Sequence, residues 1–287
     1  MKTNTQTPPR VERYEDLAGD LAGSHPLGQG LATPVADPDH HTAFEHDGFV
    51  IVRQAIDSGL TRRAFDGLSN QLGPTGRNAF EGERTQRAYA LLAKTRALDP
   101  LVEHEAILGL ICAHLGDEPL LSACLGINIL PEETAQPAHF DDGFYPVARP
   151  RPTMGVSVIW ALSRFTEANG ATQVWPGSHL WGDERRPQDD DAMLHAEMEA
   201  GDAIVFHGSL WHAGGANTTK DEARLGLTAQ YCAPWLRTQE NMSLAVPPSV
   251  VDGLSPRLKS LLGYQIQPPF MGHVNGMHPK RLLVGAR

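Results

Sequence analysis

The last two thirds of the sequence alternates short β-prone runs with turns, and this alternation constrains the fold more than any other feature. Turn signals such as Asn169-Gly170, Pro176-Gly177 and Gly201-Asp202 separate the runs. Short strands at this spacing, without long helices between them, are typical of β-sandwiches and β-barrels. The runs predicted as strands cover residues 121–130, 138–144, 153–163, 171–175, 203–206 and 224–232.

The first third of the sequence has a different pattern. Residues 1–40 are rich in Pro, Gly, Thr and Asp and are predicted to form a flexible lead-in. A β-branched run predicts a strand at 48–53, and apolar residues at every fourth position predict a helix that ends at Gly73-Pro74. A second helix is predicted to start at Asp99-Pro100, with Asp99 as its N-cap. We expect residues 41–287 to form a single domain with N-terminal helices and a C-terminal arm.

Charge and cysteine content restrict the class of protein. The chain has 24 basic and 34 acidic residues and a net charge of −10, which is unfavourable for binding nucleic acid or an anionic membrane. Three widely spaced cysteines form neither a disulfide framework nor a CxxC metal site. No apolar run approaches the ~20 residues of a membrane helix, and the first residues do not resemble a signal peptide. We therefore expect a soluble cytoplasmic protein without membrane insertion.

Three residues form a candidate metal site. Side chains alternate along a strand, so His139 and Asp141 are expected on the same side of the predicted strand. A third ligand must come from elsewhere, and His212 is favoured over His207 because a glycine-rich turn follows it. Two neutral imidazoles and one carboxylate bind iron(II) on one face and leave positions open for a 2-oxo acid and for dioxygen. Arg224 opens the next strand, and its guanidinium suits the distal carboxylate of 2-oxoglutarate.

These residues belong to a longer pattern that resembles a known family. The pattern includes the segment 44–52, Gln136-x-x-His139-x-Asp141, the block from Asn169 to His179, and His212 followed by Arg224. From about Phe44 to Arg237 the chain resembles the phytanoyl-CoA dioxygenase family of iron(II)- and 2-oxoglutarate-dependent oxygenases. The resemblance implies a mainly β protein with flanking helices and a double-stranded β-helix core, the cupin-like jelly roll.

The resemblance also implies roles for single residues. His139, Asp141 and His212 would bind iron and so be catalytic, and Arg224 would bind the C5 carboxylate of 2-oxoglutarate. Three further positions are expected to contact the cosubstrate: Gln136, Trp160 and Thr172. Lys94 matches an N-terminal cosubstrate contact more loosely.

The implied activity is that of a dioxygenase that uses iron(II), 2-oxoglutarate and dioxygen. We expect it to hydroxylate an unactivated C–H bond of a small lipid-derived or secondary-metabolite substrate, with release of succinate and CO₂. Desaturation, cyclisation or epimerisation at the same site is an alternative outcome. A cupin-like metal-dependent isomerase or hydrolase, or a binding module without turnover, is a different class of function. Arg224 distinguishes the isomerase or hydrolase, because those chemistries do not need a partner for a 2-oxo acid. A binding module is expected to lack one of the site residues, whereas the sequence contains all four: His139, Asp141, His212 and Arg224.

Overall fold

Two antiparallel sheets form the framework of the protein. The structure is a computed structural model that describes residues 31–76 and 78–283. The larger sheet has six strands in the order β1-β7-β4-β9-β3-β2, and the smaller has three in the order β6-β5-β8. The strands are β1 (Phe49–Val52), β2 (Thr85–Ala88), β3 (Leu120–Ile129), β4 (Gly155–Ala161), β5 (Thr172–Val174), β6 (Leu194–His195), β7 (Ala203–His207), β8 (His212–Gly214) and β9 (Arg224–Cys232). This mainly β architecture with flanking helices confirms the predicted fold class.

The six-stranded sheet has two different faces because side chains alternate along each strand. On the outer face, Val158, Trp160 and Leu227 belong to a large core that also contains apolar residues of the helices. On the inner face, Ile159 and Phe206 join a smaller core with residues of the three-stranded sheet. The side chains on the inner face of each strand therefore line the space between the two sheets.

Helices cover the outer face of the larger sheet and join its strands. The first five in residues 31–283 are α1 (Pro38–Asp47), α2 (Ser58–Ser69), α3 (Leu91–Lys94), α4 (Asp99–Val102) and α5 (Glu105–Leu115). Three short helices follow the last strand: α6 (Met242–Ala245), α7 (Pro248–Val251) and α8 (Pro256–Leu261). Turns of 3₁₀ helix cover Ser178–Leu180 and Pro279–Leu282.

The second predicted helix is split in two, which corrects the sequence interpretation. Asp99 is the first residue of α4 and not an N-cap, and Leu98 precedes it. The chain turns at Glu103 and restarts at α5, where the His104 side chain accepts a hydrogen bond from the Ile107 backbone N–H. A histidine in this role gives little sequence signal, because Ser, Thr, Asp and Asn are the usual N-caps.

Most predicted strands are present, with one exception. Five of the six predicted runs coincide with β3, β4, β5, β7 and β9. The run 138–144 does not form a regular strand: His139 makes an isolated bridge, and a turn begins at Asp141. Three strands, β2, β6 and β8, were not predicted, because these short segments contain no run of β-branched or aromatic residues.

The chain ends differ in how far the structure describes them. Residues 1–30 of the predicted lead-in lie outside the described residues, and α1 already begins at Pro38, before the predicted boundary.

The three cysteines, Cys112, Cys124 and Cys232, are buried free thiols. No helix within the described ranges is long and apolar enough to cross a bilayer.

Candidate metal centre

The two candidate histidine ligands are joined by backbone hydrogen bonds although 73 positions separate them in sequence. The His139 N–H donates to the His212 carbonyl at 2.9 Å, and the His212 N–H donates to the His139 carbonyl at 2.8 Å. This reciprocal pair attaches the segment before Asp141 to β8 of the smaller sheet. The structure therefore brings the three predicted ligands together, although residues 139–141 do not form a strand.

The three side chains are arranged as a ligand set. One ligand atom from each of His139, Asp141 and His212 lies within 4.8 Å of the others. Each imidazole Nδ1–H donates to a backbone carbonyl two residues earlier, Pro137 for His139 and Leu210 for His212, both at 3.0 Å. These bonds fix the tautomer and leave both Nε2 lone pairs free for a metal. Burial, with His212 beside it, also lowers the pKa of His139 to about 4, which keeps that imidazole neutral.

Asp141 is oriented from the sheet. Its Oδ1 lies 3.6 Å from His212 Nε2. Its Oδ2 accepts a hydrogen bond of 2.5 Å from the Ser157 hydroxyl of β4. Ser157 is buried, so the carboxylate is fixed by a rigid strand although Asp141 itself begins a turn.

Arg224 is a buried cation on the inner face of β9. Its side chain is part of the same cavity as the three ligands, and only 3% of the residue is exposed. Nη2 donates to Thr172 Oγ1 at 2.9 Å, and the guanidinium lies 4.0 Å from the centre of the Phe165 ring. Among the described residues no carboxylate forms an ion pair with it, and its Nε has no hydrogen-bond partner. Burial lowers the pKa of Arg224 to about 9, the effect expected for a cation without a counterion.

Gln136 and Thr172, two of the residues expected to contact the cosubstrate, also line the cavity. The Gln136 amide is used within the protein: its oxygen accepts from the Gly214 N–H and its nitrogen donates to the Phe80 carbonyl. Thr172 contacts Arg224 directly. Gln136 therefore supports the cavity wall near β8, and Thr172 fixes the guanidinium.

Trp160 does not lie where the resemblance placed it. It is fully buried in the outer core, edge-on to the His104 ring at 5.3 Å between ring centres. Its neighbour Ile159 faces the cavity instead. Since alternate residues of β4 face opposite sides, only one of the two can face the cavity, and that residue is Ile159.

Several other candidates lie outside the cavity. Lys94 is exposed at the end of α3, and the described part of the tail beyond residue 262 does not line the cavity. His207 packs against His179, with 5.3 Å between ring centres, and its Nδ1 accepts from the Ser209 N–H. The preference for His212 over His207 therefore agrees with the geometry.

The cavity has a volume of about 390 Å³, within the range of small-molecule sites. The sequence interpretation missed two functional candidates: Arg87 on β2, which lines the cavity, and Ser157, whose hydroxyl donates to Asp141. Arg87 belongs to a four-residue strand without a clear pattern. For Ser157, the available signal was its position two residues before Ile159 on a predicted strand.

Comparison with known proteins agrees with this arrangement. Dioxygenase aneA of Aspergillus aculeatus is 30% identical over 245 residues, which cover 77% of this chain and 80% of that protein. The iron/alpha-ketoglutarate-dependent dioxygenase okaE of Penicillium ochrochloron is 29% identical over 260 residues, or 83% and 84% of the two chains. The epimerase SnoN, solved in complex with Fe3+, alpha ketoglutarate and nogalamycin RO, has a similar fold, with a TM-score of 0.58 at 20% identity over 76% of this chain and 91% of SnoN.

The match to a protein family covers the site itself. Residues 44–225 match the family described as phytanoyl-CoA dioxygenase (PhyH). This range contains the His139, Asp141 and His212 cluster and extends just past Arg224. The chain is therefore a member of the phytanoyl-CoA dioxygenase family.

Proposed function

We propose that this protein is an iron(II)- and 2-oxoglutarate-dependent dioxygenase that hydroxylates a C–H bond of a small organic substrate. One observation carries the proposal: a three-residue ligand set shares one cavity with a buried arginine that has no carboxylate partner within the described part of the chain. Family membership and the relative okaE, named as an iron/alpha-ketoglutarate-dependent dioxygenase, support the same cofactors.

The residues of the cavity fit both ferrous iron and 2-oxoglutarate. Two imidazoles with free Nε2 atoms and one carboxylate are a donor set suited to ferrous iron with open positions. The uncompensated Arg224 suits the C5 carboxylate of 2-oxoglutarate, because a planar guanidinium can donate two parallel hydrogen bonds. A buried cation with no counterion is costly, and an anionic ligand would remove that cost.

When bound, ferrous iron supplies the position at which dioxygen is activated while 2-oxoglutarate is oxidatively decarboxylated. The protein does the rest by positioning. His139, Asp141 and His212 would hold the metal, while Arg224, fixed by Thr172, would orient the cosubstrate. Ile159, Phe165 and Phe206 are apolar and buried around this end of the site and exclude water.

In the overall reaction, 2-oxoglutarate gives two products, succinate and carbon dioxide. Substrate, dioxygen and 2-oxoglutarate give hydroxylated substrate, succinate and carbon dioxide. SnoN is named as an epimerase and shares the fold, so product analysis must separate hydroxylation from epimerisation, desaturation or cyclisation.

An anaerobic titration tests the proposal. Adding ferrous iron and 2-oxoglutarate to the full chain should produce a visible charge-transfer band, and adding air should release succinate. The His139→Ala variant should lose both signals, whereas His46→Ala, which removes an exposed imidazole, should keep them. Folded wild-type protein without the band, or succinate release by His139→Ala, would contradict the assignment and favour a cupin-like isomerase or hydrolase.

A further inference from the structure

The cavity extends along β9 well beyond Arg224. The inner face of β9 runs from Arg224 through Thr228 to Gln230, about 20 Å of extended chain. Gln230 is the register partner of Ser157 on β4, and Ser157 is bonded to Asp141. Gln230 therefore lies in the part of the cavity next to the metal ligands and far along the strand from Arg224.

The amide of Gln230 is available to a ligand. Its side chain is half-buried and lines the cavity, and within the described ranges it makes no hydrogen bond. On β3 its partner in register is Ala123, whose side chain is a single methyl group and leaves room beside the amide. A carboxamide offers both a donor and an acceptor, so it can pair with a carbonyl or an amide of a substrate.

Two phenylalanines give the cavity an apolar rim. Phe80 and Phe144 both line the cavity, and each is 51% exposed. The Phe80 ring lies edge-on to His139, with 5.3 Å between ring centres. Exposed aromatic rings beside a metal centre suit a flat apolar ligand, which gains both burial and ring stacking.

The charged groups of the cavity are already paired, apart from the ligand set and Arg224. Glu133 accepts hydrogen bonds from the Arg84 N–H, the Thr85 hydroxyl and the Thr134 N–H. Arg87 forms an ion pair with Glu81 at 3.6 Å. A charged substrate would lose its hydration at this end of the cavity without gaining an opposite charge.

This distribution of charged side chains in the cavity is also unsuited to binding a coenzyme A thioester. Among the described residues, Arg87 and Arg224 are the only Lys or Arg side chains that line the cavity, and both are largely buried. The phosphates of coenzyme A would need cations near the opening. The family name is thus a poor guide to the substrate of this member.

We propose that the primary substrate is an uncharged molecule that packs a flat apolar ring against Phe80 and Phe144 and presents a carbonyl or carboxamide group to Gln230. This inference rests on the proposed function, because it uses the space left beside the metal ligands when Arg224 binds 2-oxoglutarate.

Binding of three probes to the full chain tests the substrate class. Equilibrium dialysis against protein loaded with nickel(II) and 2-oxoglutarate compares 2-naphthamide, 2-naphthoate and palmitoyl-CoA. The amide should bind about 10-fold more tightly than the carboxylate with the same ring, since burying an unpaired charge costs more than one hydrogen bond. It should also bind more tightly than palmitoyl-CoA.

Variants identify the contacts. Gln230→Leu and Phe144→Ala should each weaken binding of 2-naphthamide by roughly 3- to 10-fold. Trp235→Ala, which removes an equally exposed aromatic ring outside the cavity, should leave it unchanged. Phe144 is half-exposed, so its replacement remains informative if Gln230→Leu does not fold.

The outcomes separate the two proposals. No binding of 2-naphthamide, equal or tighter binding of 2-naphthoate or palmitoyl-CoA, or an equal loss in Trp235→Ala would overturn the substrate class. The binding of 2-oxoglutarate is measured in the same samples, and its absence would instead contradict the proposed function.

Discussion

The Ser157 hydroxyl donates a hydrogen bond of 2.5 Å to Asp141 Oδ2, while Asp141 Oδ1 faces His212 Nε2 at 3.6 Å. The two carboxylate oxygens of Asp141 thus have different environments: Oδ2 accepts a hydrogen bond from the protein, and Oδ1 points towards the other metal ligands. A carboxylate held in this way is directed to bind a metal through a single oxygen, which preserves open positions for other ligands.

Ser157→Ala should weaken binding of cobalt(II) to the metal-free protein by about 10- to 100-fold, the usual effect of losing a partner of a ligand. Isothermal titration calorimetry measures the dissociation constant directly and needs no turnover. Ser260→Ala is the matched control, because it also removes a buried hydroxyl that donates to a side chain, Gln265, but outside the cavity. Equal affinities in wild type and Ser157→Ala would show that this hydrogen bond does not orient the ligand.

Arg224→Met should raise the dissociation constant for 2-oxoglutarate at least about 100-fold, because a buried charge pair loses one partner. Binding of 2-oxobutyrate, which lacks the distal carboxylate, should change little, so the variant loses the preference between the two acids. Calorimetry on nickel-loaded protein makes this comparison, with the exposed Arg164→Met as control. If Arg224→Met still prefers 2-oxoglutarate over 2-oxobutyrate, the C5 carboxylate must bind to a residue other than Arg224.

Trp160→Phe should destabilise the protein by roughly 1–3 kcal/mol without changing its affinity for 2-oxoglutarate. Trp160 is fully buried in the outer core, and its indole N–H has no partner among the described residues, so only packing is lost. Urea unfolding and calorimetry give the two quantities. Ile159→Ala, at the adjacent position that faces the cavity, should affect both; loss of 2-oxoglutarate affinity in Trp160→Phe alone would restore its expected role.

Acid should destabilise the metal-free protein through buried histidines. Burial lowers the pKa of His207 from 6.5 to about 3, so between these values the unfolded chain binds a proton that the folded chain does not. The free energy of unfolding should therefore fall as the pH decreases through this window, by about 1.4 kcal/mol for each unit of pKa difference. The charged or titratable groups that also lower this pKa are His179, His114, Arg151 and Arg149.

His207→Gln should flatten this pH dependence, because glutamine does not titrate in this range. Urea unfolding at pH 7, 5.5 and 4 measures the effect, and His46→Gln removes an exposed imidazole as control. An unchanged slope in His207→Gln would assign the acid sensitivity to other groups.

The sequence predicted the elements whose side chains alternate over several residues. The strand predicted at 224–232 coincides with β9, and this alternation places Arg224 on the inner face. The ligand set was also predicted, although for His139 and Asp141 the expected strand is a bridge followed by a turn. Their convergence depends on hydrogen bonds to β8, which no local pattern reveals.

Elsewhere local sequence was insufficient. Trp160 and Ile159 are both apolar residues of a strand that is buried on both faces, so their pattern does not show which one faces the cavity. Arg87 lies on a strand of four residues, too short for a periodic signal. The partners of Asp141 and Arg224, Ser157 and Thr172, come from other strands, and their contacts depend on the packing of the sheets.

The reciprocal hydrogen bonds between His139 and His212 couple the metal centre to the assembly of the protein. They join a segment that follows β3 to a strand of the other sheet, so the ligands can meet only after chain segments far apart in sequence have docked. A captured ion would in turn oppose their separation, because it binds the folded arrangement and not the extended chain. A larger fraction of protein with bound metal would then mean less local unfolding where the His139 segment contacts β8. A chelator that removes the metal would therefore destabilise this protein.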